Sequence, residues 1–153
     1  TFIYATGPIV QGVCASHTNI MTKVHVVAHI LKGKDLVVKD LNSSDPFVRI
    51  YKKESDGLED YVFQSRCKSK TVNPSFNDKY RYEADLDETP SVIFRLFDDD
   101  AMHGEDSMGT VIVPLELGES NESYPVTTGS GDFFCNDAKG ELHVKITVTP
   151  IEQ

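Results

Sequence analysis

The chain has 153 residues and a formal net charge of −9, and 39% of its residues are hydrophobic. This length and composition predict a single globular domain with one buried core. The negative charge disfavours nucleic acid as a partner, and it would repel an anionic membrane unless cations intervene. No apolar run approaches the roughly 20 residues of a membrane-spanning helix.

Alternation of apolar and polar residues is the main pattern along the chain, and no long helical period occurs. Val24, Val26, Ala28 and Ile30 share one face of a predicted strand, and a similar alternation recurs twice, at 92–96 and 142–148. With turn-rich segments between them, eight strands are predicted at 24–31, 46–52, 61–70, 79–84, 91–97, 109–115, 124–134 and 141–149. Eight short strands at this spacing predict an all-β fold, an eight-stranded antiparallel β-sandwich.

The chain ends lie outside this pattern. Residues 1–22 lack clear periodicity and are expected to form an extension or an extra strand, 23–150 the domain itself, and 151–153 a tail. The chain begins at Thr1 without Met, which we take as the start of a processed product or of an excised fragment. Three cysteines do not make a complete disulfide framework. Three reduced thiols are the first interpretation, and one bridge with a free thiol is the second.

Alternate connections of an antiparallel sandwich emerge at the same end. The connections at 39–45, 71–78 and 98–106 follow the first, third and fifth predicted strands, so we expect them to lie together. The acidic residues of the first and last of these connections would then form one cluster at that end. They are Asp40, Asp45, Asp98, Asp100 and Asp106.

Clustered carboxylates are either a solvated surface or a site for a hard cation. Calcium takes six to eight oxygen ligands in flexible geometry, which loops can supply. The spacing excludes an EF-hand, because with Asp98 as the first ligand the required Gly falls on His103 and the required Glu on Gly109. A zinc site is also excluded, since these loops hold no Cys or His pair with ligand spacing.

Three segments resemble the C2 domain family in the right order. "GKDLVVKDLNSSDPFVRI" is similar to its first calcium loop, "KSKTVNPSFNDKYRY" to its second, and "VIFRLFDDDAMHGEDSMGTVIVPL" to its third. "GELHVKITVTP" resembles the closing strand of the circularly permuted form of the family. The resemblance covers about 24–149 and implies a Greek-key sandwich that binds Ca²⁺.

Carried over position by position, the resemblance places the calcium ligands on the same five aspartates. They are Asp40, Asp45, Asp98, Asp100 and Asp106. It implies calcium-dependent docking on anionic phospholipid membranes, in which bound calcium offsets negative charge and offers open coordination positions to lipid oxygens. Leu41 and Met102 follow acidic residues at the loop tips, where they would insert into a bilayer; single exposed apolar residues are also common on ordinary surfaces.

A second lipid contact is predicted on one strand. Arg66, Lys68 and Lys70 alternate and would share one face, where the family can bind phosphoinositide headgroups. A solvated strand face is the alternative interpretation of these three residues.

Rival functions come from different classes. A calcium-independent protein-interaction module would use the sandwich as a scaffold for a protein partner. Catalysis by this chain is not expected, because no phosphate-binding Gly-rich loop, G-x-S-x-G motif or Cys–His dyad occurs. The chain could still be the membrane-targeting part of a larger enzyme or pore-forming protein. A cytoplasmic, peripheral membrane location is expected, with secretion as the alternative.

Overall fold

Eight antiparallel strands form two packed sheets, and no helix is present among the described residues. The computed structural model describes residues 22–39, 43–100, 104–129, 131–132 and 135–152. In chain order the strands are β1 (Lys23–Lys34), β2 (Pro46–Lys53), β3 (Glu59–Gln64), β4 (Ser75–Asp85), β5 (Ser91–Asp100), β6 (Gly104–Pro114), β7 (Gly118–Pro125) and β8 (Glu141–Pro150). The predicted all-β antiparallel sandwich is therefore confirmed.

The first sheet, sheet A, has the strand order β4-β1-β8-β7, and the second, sheet B, has the order β3-β2-β5-β6. The chain crosses between the sheets after β1, β3, β4 and β6, so the order is not a simple meander. Within each sheet every pairing is antiparallel, so β1 and β7 run in one direction in sheet A and β3 and β5 run in one direction in sheet B. Nothing in the described residues has the length and apolar character of a membrane-spanning helix.

The core lies between the two sheets and follows the predicted alternation. In sheet A the inward residues include Val26 of β1 and Val144 of β8, and in sheet B they include Phe94 and Leu96 of β5; all four are fully buried. On β1 and β8 the residues between these positions point outward and are half-buried or exposed, whereas on β5 the outward Ile93 and Arg95 are also buried. Period-two alternation therefore sorts the residues of β1 and β8 between core and solvent, while β5 is buried on both faces over most of its length.

Two predicted strands differ from the structure. The strand predicted at 124–134 is found at Gly118–Pro125, and the strand predicted at 61–70 ends at Gln64. β7 is an edge strand that pairs only with β8 and exposes both faces, so its sequence, "GESNESYP", has no apolar alternation. The short polar β3 is also an edge strand, which explains why its bounds were wrong.

Candidate functional site

The site lies at the end of the sandwich where β1, β3, β5 and β7 finish. Backbone hydrogen bonds join the connections at this end, because Leu36 N donates to Val72 O at 3.0 Å and Thr71 N donates to Ser44 O at 2.8 Å. The side chain of Asn73 accepts a further bond from Asp35 N at 2.9 Å. The connections after β1 and β3 are therefore packed together, as the strand directions predicted.

Ser44 fixes the connection between β1 and β2. Its hydroxyl is fully buried, donates to Val37 O at 2.9 Å and accepts from Lys39 N at 2.8 Å. These two hydrogen bonds hold Ser44 against Val37 and Lys39, and they position Asp45 directly before β2. Asp40, the first predicted ligand, and Leu41 lie outside the described residues.

Asp45 and Asp98 are in direct contact. Asp45 N donates to Asp98 Oδ1 at 2.6 Å, and Asp99 N donates back to Asp45 O at 2.9 Å. Lys70 N donates to Asp45 Oδ1 at 2.6 Å, so each of the two aspartates has one carboxylate oxygen held by a backbone N–H. Hydrogen bonds of this kind hold carboxylates in fixed positions.

Asp98 continues the inward series of β5 and has 0% exposure, whereas Asp99 is exposed. Burial of an ionised carboxylate is costly, so such groups in proteins are hydrogen-bonded, ion-paired or bound to a metal. The position of Asp98 between the sheets therefore marks it as the central acidic residue of the site.

The β5–β6 hairpin brings two more aspartates to the same face. Asp98 is directly opposite Asp106, and Asp100 is opposite Gly104. Opposite residues on paired strands share a face, as do residues two apart on one strand. Asp98, Asp100 and Asp106 therefore project to one side, where like charges destabilise the hairpin unless a cation offsets them. Met102, which was predicted to insert into a bilayer, lies outside the described residues.

A complete coordination sphere is not assembled by these residues. In the part of the chain that the structure describes, no three His, Cys, Asp or Glu side chains are placed together closely enough to hold a metal ion. Asp40 belongs to the predicted set and lies outside that part. The donor chemistry fits calcium, because all the predicted ligands are carboxylate oxygens rather than soft nitrogen or sulfur ligands.

The Cys67 thiol lies in the negative potential of the aspartates at this end of the sandwich. Burial raises the pKa of the Cys67 thiol, and the charges of Asp99, Asp45 and Asp98 raise it further. The Cys67 Sγ atom lies 3.3 Å from Asp45 O. Cys67 and Cys135 are both free thiols, in agreement with the first interpretation of the cysteines, and Cys14 lies outside the described residues.

Lys39 and Asp137 form an ion pair that the sequence did not indicate. Lys39 Nζ lies 2.8 Å from Asp137 Oδ1. Burial lowers the pKa of Lys39, but the hydrogen bond to Asp137 and the charges of Cys135, Asp137 and Asp106 raise it overall. The pair ties the first loop to the segment between β7 and β8. The two residues are 98 positions apart, so no local sequence signal could have paired them.

The basic residues predicted to share a strand face do not do so. Arg66, Lys68 and Lys70 lie beyond the end of β3, in an irregular segment that runs alongside the start of β2. In this segment Lys68 N donates a hydrogen bond to Pro46 O at 2.9 Å. Lys70 has a φ of 52°, outside the extended region, so the alternation that was predicted cannot apply. Lys70 contacts the site through its backbone N–H rather than its ammonium group.

Arg66 has its charge compensated by Asp78. Its Nη2 and Nε atoms donate to Asp78 Oδ1 at 2.7 and 3.0 Å, and its backbone N donates to Asp78 Oδ2 at 3.0 Å. Burial raises the pKa of Asp78, but these hydrogen bonds and the Arg66 charge lower it overall. The ion pair fixes the segment after β3 against β4.

We expect Asp78→Asn to lower the free energy of unfolding by about 1–2 kcal/mol at pH 7, at the low end for a charged hydrogen bond because the Arg66 side chain is 69% exposed. A depressed folded-state pKa gives stability that is present above the unfolded-state pKa and is lost as the pH falls through the folded-state value. The difference between wild type and variant should therefore shrink below pH 4. Urea unfolding over a pH series measures it, with the exposed Asp87→Asn as control. A pH-independent difference would contradict the ion-pair account.

Comparisons with known proteins agree with this geometry. A sequence model described as the C2 domain matches residues 24–128, which is more than half of the chain. The chain is 34% identical to mouse (Mus musculus) synaptotagmin-3 over 107 residues, covering 67% of this chain and 18% of that protein. It is 29% identical to the rat (Rattus norvegicus) E3 ubiquitin-protein ligase NEDD4 over 150 residues, covering 92% of this chain and 16% of that protein. The chain thus spans less than a fifth of either relative.

Solved structures show the same fold. C2 domain A of plant extended synaptotagmin 1 superposes with a TM-score of 0.63 at 18% identity, covering 87% of this chain and 98% of that one. Extended synaptotagmin 2, with its C2 domains A and B, superposes with a TM-score of 0.64 at 23% identity, covering 85% of this chain and 42% of that one.

Proposed function

Because the chain belongs to the C2 domain family, we propose that it binds calcium at the acidic end of its sandwich and docks through that end on anionic phospholipid membranes. The observation that carries this proposal is the buried Asp98 carboxylate, which contacts Asp45 and lies opposite Asp106. Carboxylates gathered at one end of a sandwich are suited to a hard cation of flexible coordination.

Asp45, Asp98, Asp100 and Asp106 would hold the ion, together with Asp40 from the first loop. When bound, calcium supplies positive charge and open coordination positions for lipid phosphate and carboxylate oxygens. The protein's own contribution is to fix the carboxylates through the backbone N–H groups of Asp45 and Lys70. Lys39, held by Asp137, ties the start of the first loop to the segment between β7 and β8.

The net charge of −9 explains why docking would depend on calcium. Without the ion, the acidic end and an anionic bilayer repel each other. With the ion, the same end becomes attractive, and Leu41 and Met102 would then insert at the loop tips as the sequence predicts. The protein would accordingly be a peripheral membrane component.

A second proposal concerns the role of this chain if it is part of a longer protein. Relatives that include a ubiquitin ligase match this chain over only a small part of their length. We therefore propose that the chain supplies membrane targeting and that any catalysis belongs to other parts of such a protein.

Vesicle sedimentation tests the proposal. With vesicles of phosphatidylcholine and phosphatidylserine at pH 7.5, we expect the bound fraction to rise when calcium replaces EGTA, and we expect no rise with phosphatidylcholine alone. The Asp98→Asn/Asp100→Asn double variant should lose this increment, while the exposed Asp99→Asn should keep most of it. A calcium-independent interaction module would show no increment in any of the three proteins, and that result would overturn the proposal.

A further inference from the structure

The two lateral sides of the sandwich, where the edge strands of the sheets meet, are built differently. Between β3 and β4, Phe63 and Tyr80 stack with their ring centroids 4.7 Å apart, and the Tyr80 hydroxyl donates to Gln64 O at 2.7 Å. On the other side, a short backbone bridge connects the sheets, in which Thr110 N donates to Thr127 O at 2.8 Å and Thr127 N donates to Thr110 O at 3.1 Å. The side between β6 and β7 also contains open space next to this bridge.

This space is a groove made of two cavities that share Tyr124 as a wall. We call it the β6–β7 groove. The first cavity, of about 350 Å³, has Ile112 and Pro125 in its lining, and the second, of about 410 Å³, has Leu117 and Glu122. Ile112 and Leu117 are 48% and 51% exposed, so the groove presents apolar side chains to solvent.

The backbone of Ile112 forms an open position on the edge of β6. Successive residues of an antiparallel strand direct their N–H and C=O groups alternately to its two sides. Thr110 directs both groups away from β5 to Thr127, so Ile112, two residues later, directs its own groups to the same side. In this register the residue opposite Ile112 is Pro125, which has no N–H to donate. Among the described residues, no strand pairs with β6 there, and such an edge can accept an added strand from another chain.

The second cavity of the groove is acidic. Glu116 and Glu122 line it and form no ion pair within the part of the chain that the structure describes, while Glu119 of the same cavity has Lys145 at 3.7 Å. Neither cavity has a lysine or an arginine among its described lining residues. A partner that places positive side chains next to apolar ones would complement both halves of the groove.

The inner face of β7 carries Glu122. This residue lies opposite Val144 of β8, and Tyr124 lies opposite Leu142; both β8 residues are fully buried in the core. Because opposite residues share a face, Glu122 is on the side of β7 that faces sheet B. An inward charge on an edge strand deters pairing with a second copy of the same chain, and the net charge of −9 adds to that repulsion. The same carboxylate attracts a partner of opposite charge.

We propose that the β6–β7 groove binds an extended segment of a partner protein, in which apolar residues are followed by lysine or arginine. The segment would add as a strand to the edge of β6 and form main-chain hydrogen bonds with Ile112. The first cavity would receive an apolar side chain, and Glu116 and Glu122 would pair with the basic residues. Residues 1–21 of this chain contain no lysine or arginine, so they do not complement the acidic half of the groove.

The groove is separate from the acidic end of the sandwich. β6 begins at Gly104, opposite Asp100, and runs away from that end to Pro114. Since the groove lies along the second half of β6, a bound partner would leave the acidic end free to contact a membrane. The inference goes beyond the proposed function, because it concerns a protein partner, requires no calcium and uses different residues.

Fluorescence anisotropy with the full chain in EGTA tests the proposal. The probe is a labelled synthetic peptide of sequence KVTVTVKRK, whose valines alternate as in a strand and whose basic residues follow them. We expect saturable binding with a micromolar dissociation constant. The peptide KVPVPVKRK lacks two of the amide N–H groups that a strand needs, and EVTVTVEEE has the opposite charge, so neither should bind.

A matched pair of variants tests the role of charge. Glu116→Gln/Glu122→Gln should weaken peptide binding about tenfold, because it removes both carboxylates that lack an ion pair in the fold. The control is Asp87→Asn/Glu88→Gln in the connection between β4 and β5, where both residues are exposed. It removes the same charge and should weaken binding less than threefold. Equal losses in the two double variants would overturn the proposal in favour of bulk charge.

A second pair of variants tests the apolar half of the groove. Ile112→Thr keeps a β-branched residue on the edge strand but removes apolar surface, and it should weaken binding about fivefold. The control is Leu58→Thr in the connection between β2 and β3, because Leu58 is 65% exposed and lies away from the groove. Binding should change less than twofold in the control, and an unchanged affinity in Ile112→Thr would contradict the assigned position of the peptide.

Amide hydrogen exchange and sedimentation velocity distinguish the possible occupants. The Ile112 amide should exchange quickly in the chain alone and slowly with the peptide bound. Slow exchange in a monomeric chain without peptide would overturn the proposal, because another part of this chain, such as residues 1–21, would then cover the edge. A dimer that Ile112→Thr dissociates would overturn it in favour of a second copy. Failure of KVTVTVKRK to bind would also refute it, while leaving the calcium-dependent vesicle binding of the acidic end unaffected.

Discussion

Replacement of Arg95 by Met is expected to lower the free energy of unfolding by about 3–5 kcal/mol, which is the cost of removing one partner from a buried ion pair. The Arg95 side chain is 11% exposed, and Asp132, which it contacts at 3.3 Å, is 2% exposed. Glu59 receives two further bonds from the same guanidinium group, at 2.9 and 2.7 Å. Without Arg95, the buried carboxylate of Asp132 would lose its cation.

Equilibrium unfolding in urea measures this loss. The control is Arg81→Met on the exposed face of sheet A, because Arg81 itself forms no ion pair among the described residues and the change should stay below about 0.5 kcal/mol. Adding Asp132→Asn to Arg95→Met removes the uncompensated charge, so the double variant should lose less than the sum of the two single variants. Strict additivity, or a loss below about 1 kcal/mol for Arg95→Met, would contradict the buried-pair account.

The Arg95 network also bears on the candidate site. Asp132 accepts hydrogen bonds from Ser107, Thr110 and Gly129, so it fastens the segment between β7 and β8 to sheet B. The same segment contains Asp137, which forms an ion pair with Lys39 next to the first acidic loop. Disruption of the network is therefore expected to reach the acidic end of the sandwich through this segment.

Gly140 completes the attachment of this segment. A Cβ atom there would clash with Lys34 O and lie 2.5 Å from Asp35 O, and the φ of 85° is unfavourable for other residues. Only glycine allows the backbone before β8 to approach the end of β1 this closely. The close approach brings the β7–β8 segment against the first loop.

Strands that line the core could be predicted well from the sequence, because burial of one face imposes apolar alternation. β1, β5 and β8 each lie within a sheet rather than at its edge, and all three were found at the predicted places. β7 could not be found in this way, since an edge strand with polar residues on both faces has no core-facing stripe. The resemblance to the C2 family is confirmed by the match over 24–128.

The meeting of the loops at one end could also be predicted, because it follows from strand direction alone. Asp45 and Asp98 are 53 positions apart, and their contact is a consequence of the antiparallel pairing of Pro46 with Asp98. The ion pair of Lys39 with Asp137 and the network around Arg95 were not predictable. They depend on how an irregular segment packs against the sandwich, and no periodicity encodes such packing.

Calcium is expected to stabilise the fold, because an ion bound only by the native state adds stability by mass action. At a hundredfold excess of calcium over its dissociation constant, the gain is about 2.7 kcal/mol. For a domain of this length, such a gain raises the melting temperature by roughly 5–10 °C. The gain arises where Asp98, Asp100 and Asp106 project to one side of the β5–β6 hairpin and repel one another.

Thermal unfolding across a calcium titration to millimolar concentrations separates coordination from bulk acidity. Asp98→Asn/Asp100→Asn should remove the stabilisation, because amide oxygens carry no charge to hold the ion, while the amide introduced at position 98 can still accept the hydrogen bond from Asp45 N. The exposed Asp99→Asn should retain most of the shift, although it removes a charge of the same sign from the same strand. An unchanged melting temperature in wild-type protein would reject the calcium site. An equal loss of the calcium-induced shift in all these variants would mean that calcium responds to the total negative charge at this end. Coordination by the inward carboxylates would then not be the cause of the stabilisation.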